Sequence, residues 1–145
     1  MIAFPAIAEV LPHSAPMILL DEIVAYGGAS IRCRATIRSD SIFVAVGRVR
    51  AIVSLEYMAQ AVAAFAGMRG RTIGAPPRIG YVIGAREMTL EVDHFEIGDE
   101  LLVDAEEVWG DERMSSFRCR VIRDGRCLAE ASLNFYLGAL GDPSA

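Results

Sequence analysis

Glu56 and Gln60 interrupt the most apolar stretch of the chain, AIVSLEYMAQAVAAFAGM from Ala51 to Met68. A carboxylate in such a setting is costly to bury, and that cost asks for a chemical reason. Side chains four residues apart share one face of a helix, so Gln60 reads either as orienting Glu56 or a ligand, or as capping a structural gap. A carboxyl held in this way can give or take a proton. The chain has two histidines. His13 stands in the proline-bracketed corner Pro12-His13-Ser14-Ala15-Pro16, within reach of a pocket mouth as a substrate-binding or a structural residue. His94, among acids in Val92-Asp93-His94-Phe95, reads as a solvated or turn histidine. Ser54, Ser115 and Ser116 lack the G-x-S-x-G context of a nucleophilic serine, and no cluster has metal-ligand spacing. Neither a metal nor another cofactor is expected. Cys33, Cys119 and Cys127 make an odd count without metal-like pairing and are expected as reduced packing thiols.

The element that must position Glu56 is the stretch itself. Alanine, leucine and methionine favour helix, and Gly67 and Gly70 are expected to end it. A helix apolar on nearly every face needs cover on several sides. Around it the sequence predicts strands: Met17 to Tyr26, Ser30 to Ile37, Arg78 to Val92, Glu100 to Trp109, Met114 to Arg123 and Arg126 to Leu137. Two of them alternate cleanly, with Ile31, Cys33, Ala35 and Ile37 on one side and Phe117, Cys119 and Val121 on another. Asp124-Gly125 is a strong two-residue hairpin signal. Two strands, one long apolar helix and three or four more strands predict an α+β hotdog fold, a curved antiparallel sheet wrapped around a central helix. Residues 1–145 are read as one domain with a loose tail from about 138. An apolar content of 53% is more than one small domain readily hides, so a dimer or a dimer of dimers is expected.

Composition removes several classes. Glu56, Gln60 and the many alanines argue against a membrane span, since an intramembrane acid costs several kcal/mol. The start MIAFPAIAEVL lacks the basic residues of a signal peptide, so a cytoplasmic protein is expected. A net charge of −5 and the absence of a known reading motif argue against nucleic acid. All fourteen basic residues are arginine, and the charge is unevenly spread. Six arginines and only one acid lie between Arg48 and Arg86, whereas eleven acids and no arginine lie between Glu87 and Glu112. Arg48, Arg50, Arg69, Arg71 and Arg78 therefore read either as scattered surface charges or as a basic rim suited to an acidic partner or a phosphate.

Several segments resemble a known family. Leu11-Pro12-His13-Ser14-Ala15-Pro16-Met17-Ile18-Leu19-Leu20-Asp21 is similar to the opening of the 3-hydroxyacyl-acyl carrier protein dehydratases, and Leu55-Glu56-Tyr57-Met58-Ala59-Gln60-Ala61 to their central helix. Ile83-Gly84-Ala85-Arg86 and Leu133-Asn134-Phe135 look like the branch associated with aryl-polyene biosynthesis. The similarity runs from Leu11 to about Leu137. It implies dehydration or hydration of 3-hydroxyacyl and enoyl thioesters held on acyl carrier protein or coenzyme A, without a cofactor. It further implies Glu56 as the carboxyl that helps the hydroxyl leave as water, with Gly47 offering a backbone N–H to the thioester carbonyl. Gln60 and His13 are the further substrate-binding candidates, although in the family the position of His13 is separate from the base, which favours a structural role there. The arginine rim would receive the carrier protein or the phosphate of its pantetheine arm. The family's base is a histidine in a His-Phe-Pro-Gly loop before the helix. Here Ile42-Phe43-Val44-Ala45-Val46-Gly47 fills that region, and no histidine lies between His13 and His94. Two other readings stay open: a hotdog thioesterase in which Glu56 activates water, and a non-catalytic partner of an intact dehydratase in a heterodimer.

Overall fold

The computed structural model describes residues 3–75 and 80–137; Arg78 and the tail from 138 lie outside the described residues. In chain order the elements are α1 (Ile7–Val10), β1 (Glu22–Gly27), β2 (Ser30–Thr36), β3 (Arg48–Arg50), α2 (Ser54–Arg71), β4 (Gly80–Leu90), β5 (His94–Glu96), β6 (Glu100–Gly110), β7 (Met114–Arg123) and β8 (Arg126–Leu137). Six strands form one antiparallel sheet in the order β1-β2-β6-β7-β8-β4, and β3 pairs with β5 alone. After the helix the chain thus crosses to the far edge, then returns to fill the middle. This is the expected hotdog arrangement.

The long strands β2, β6, β7 and β8 form where one face is buried. Ile31, Cys33 and Ala35 of β2 and Phe117, Cys119 and Val121 of β7 all point into the core, with arginines alternating on the outer face. Burial pushes the Cys33 and Cys119 thiols up to about 12, which marks them as packing groups. The β7–β8 hairpin turns at Asp124-Gly125, both at positive φ (52° and 77°), as a two-residue turn requires. Two details depart from expectation. The stretch from Met17 to Asp21 is not strand, because the Leu19 N–H is taken by the Gln60 side chain instead of a neighbouring strand. The short pair β3 and β5 carries no sequence signal, since three residues are too few to show a period.

Helix α2, entered through a 3-10 turn at Ala51–Val53, packs against β2, β6, β7 and β8. The Ala51–Arg71 segment has the length and apolarity to cross a bilayer, yet it serves as the core helix inside the sheet. It also runs past both glycines expected to stop it. A Cβ at Gly67 would lie 2.0 Å from the Val10 carbonyl oxygen, so this glycine is where α1 crosses α2. Cover is incomplete on one side. Glu56, Ala59, Ala63, Ala66 and Gly70, spaced three or four apart, form a stripe that the sheet leaves partly open.

Candidate active site

The open stripe is the floor of a groove of about 690 Å³. Glu56 and His13 stand at one end, Ala59, Val62, Ala63 and Ala66 run along the floor, and Phe65, Phe117 and Phe135 form a wall. Those rings pack edge to face, with centroids 5.5 Å apart for Phe65–Phe117 and 5.9 Å for Phe117–Phe135. Such a space suits an apolar chain. The far end is polar: Arg69, Glu107, Asp111, Glu112 and Arg113 line it. Asp111 accepts hydrogen bonds from the backbone N–H groups of Met114 and Arg113, which hold its carboxyl below the usual value.

Glu56 is positioned through Gln60. The Gln60 Oε1 accepts from the Leu19 N–H at 2.8 Å, and its Nε2 donates to the Met17 carbonyl at 2.6 Å and to Glu56 Oε1 at 3.0 Å. The amide is fully buried, whereas the Glu56 side chain keeps 32% of its surface open to the groove. His13 approaches from the proline corner, its Nε2 3.9 Å from Glu56 Oε1. The corner is itself held on two sides. Val10 of α1 packs at Gly67, and Met17 and Leu19 are tied to Gln60 seven residues earlier on the same helix.

Glu56, Gln60 and His13 are thus brought together, while the other candidates are dispersed. Gly47 is not among the groove residues; it sits in the tight turn from Ala45 to Arg48. Val46 in that turn has φ 54° and is 96% exposed, an unusual conformation for a β-branched residue. Arg48 and Arg50 lie exposed on β3 at the start of α2, on the same side of the strand. Arg69 and Arg71 lie at its other end, about 27 Å away for eighteen residues at ~1.5 Å each. Among the described residues, the four rim arginines therefore fall into two separate pairs. Arg69 is also engaged: its guanidinium binds the Glu107 carboxylate at 2.9 and 3.2 Å and lies 4.5 Å above the Phe65 ring. The approach of His13 to Glu56 was not legible in the sequence, because no local spacing links residues 43 apart. The aromatic wall had a partial signal in the alternation around Phe117. Among the described residues, no group of three His, Cys, Asp or Glu side chains is placed to hold a metal ion.

Among solved structures, the dehydratase heterocomplex ApeI:P from Xenorhabdus doucetiae matches with a TM-score of 0.91 at 25% identity, covering 94% of this chain and 93% of that one. An HP0420 homologue from Helicobacter felis matches at 0.67 and 12% identity over 95% and 93% of the two chains. A hypothetical thioesterase from Streptococcus pneumoniae, solved with coenzyme A, matches at 0.62 and 11% identity over 83% and 88%. The last two likenesses show the fold alone. No curated protein sequence matches. A family model described as ApeP dehydratase matches residues 5–142, nearly the whole chain, and the protein therefore belongs to the ApeP-like dehydratase family.

Proposed function

We infer that this protein binds 3-hydroxyacyl and enoyl thioesters in the groove along α2 and interconverts them by loss or addition of water. Glu56 donates the proton with which the hydroxyl departs. The reading rests on a carboxyl at the head of an apolar groove, fixed by a buried amide that is itself fixed by two backbone groups. The thioester is carried on an acyl carrier protein in the cytoplasm, and Arg48 and Arg50, exposed at the start of α2, are the better placed pair to receive it; Arg71 and Arg78 remain candidates. Coenzyme A thioesters present the same reacting atoms. The subunit works as a dimer or with a related hotdog subunit. Gly47 lies off this groove, so its N–H is no part of the site proposed here.

The test is an assay of the pure protein, alone and with a related hotdog subunit, on 3-hydroxyacyl and enoyl carrier-protein thioesters. Glu56→Gln keeps the shape and removes the titrating group. It is expected to lower turnover by about 10²–10⁴-fold while leaving thioester binding nearly intact. Full activity in that variant would refute the assignment; release of free acid and thiol would place the chain with the thioesterases. A second reading has its own observation: Ile42 to Gly47 carries no titrating side chain. On that reading the chain completes a partner's site without turning over substrate, and Glu56→Gln leaves the activity of the complex unchanged.

A further inference from the structure

A histidine kept only for structure ordinarily has its ring nitrogens hydrogen-bonded. Among the described residues His13 has neither satisfied: Nδ1 is buried with no partner, and Nε2 is 3.9 Å from Glu56, beyond hydrogen-bond length. The ring keeps 27% of its side-chain surface open and lines the groove beside Glu56. Gln60 occupies Glu56 Oε1, which leaves the other carboxyl oxygen without a hydrogen bond among the described residues. An acid and an imidazole nitrogen thus face one space, each with a site unused.

We propose that His13 is the catalytic base of this site, a role that rests on the function proposed above. Neutral His13 takes the α-proton through Nε2. The electrons of that C–H bond form the α,β double bond as the β C–O bond breaks, and the departing oxygen takes the proton of Glu56 and leaves as water. His13 is then protonated and Glu56 ionised. Proton transfer across the gap between them, directly on approach or through one water, restores both. Two groups this close on one wall reach only a hydrogen and a hydroxyl on the same face, so elimination is syn.

The experiment compares wild type, His13→Ala, His13→Gln and Glu56→Gln, alone and with a related hotdog subunit, on a 3-hydroxyoctanoyl thioester of N-acetylcysteamine. Enoyl product and thermal midpoint are recorded for each. Both His13 variants should lose about 10²–10⁴-fold in turnover with little change in midpoint, and added imidazole should restore part of the activity of His13→Ala but not of His13→Gln. His13 variants within about threefold of wild type, or a loss that imidazole does not relieve, overturn the assignment. If Glu56→Gln is inactive while His13→Ala is not, the site stands and only the base is wrong. If wild type shows no turnover in either form, the proposed function falls and the base with it.

Discussion

The orientation of Glu56 follows from the backbone partners of Gln60. The Leu19 N–H can only donate and the Met17 carbonyl can only accept, so the amide has one arrangement and must present its remaining N–H to the carboxylate. That Glu56 and Gln60 share a face was legible from their spacing. That Gln60 reaches back to residues 17 and 19 was not, because a long-range hydrogen bond leaves no periodic trace. Gln60→Leu preserves most of the volume while leaving the buried Leu19 N–H and the half-buried Met17 carbonyl unpaired. We expect a loss of about 1–3 kcal/mol, read from the urea midpoint at unchanged slope, together with lower turnover from the released corner at His13. An unchanged midpoint would mean that Met17 and Leu19 find other partners.

At the scale of elements, β2, β6, β7 and β8 were legible because each has one buried face, and period-two alternation is the direct record of that burial. β4 has no buried face and was read from its β-favouring residues alone. The helix was legible in its body and misread at its end. A glycine signals a stop only when the chain leaves the helix there, whereas Gly67 is small because Val10 of α1 touches it. Two opposing effects can be weighed at this position. Alanine in a helix interior is favoured over glycine by about 1 kcal/mol, but a Cβ 2.0 Å from the Val10 carbonyl oxygen must displace α1. Overpacking of this kind costs about 1–3 kcal/mol, and backbone against backbone leaves little room to relax. Gly67→Ala should therefore be destabilised overall and should lose activity, since α1 leads directly into the corner that carries His13. Gly70→Ala is the matched control: its Cβ would meet Ala75 at 3.5 Å, an ordinary contact. It should be neutral or slightly stabilised. Equal thermal midpoints for the two variants would contradict the close approach of α1.

For the molecule as a whole, the sheet has two edges, β1 and β4, and they differ. Edge strands present unpaired N–H and carbonyl groups, and proteins usually blunt them with charge, proline or brevity. β4 has eleven residues, and Tyr81, Val82 and Ile83 stand exposed at its start. Tyr81 and Val82 also border the groove, so whatever covers this edge lies against the site. The high apolar content of the sequence led to the expectation of an additional buried surface, but composition carries no position; the strand order leaves β4 as the exposed apolar edge on which to test it. We expect β4 to pair with the corresponding edge of a second hotdog subunit, its own copy or a relative. Ile83→Lys places a charge on that edge, where desolvation would oppose pairing without touching the subunit core. Sedimentation equilibrium should show association weakened by about tenfold or more, equivalent to ~1.4 kcal/mol, with the circular dichroism spectrum retained. A wild-type chain that stays monomeric at micromolar concentration, both alone and mixed with a related hotdog subunit, would show that β4 is no interface and that the groove is completed within a single chain.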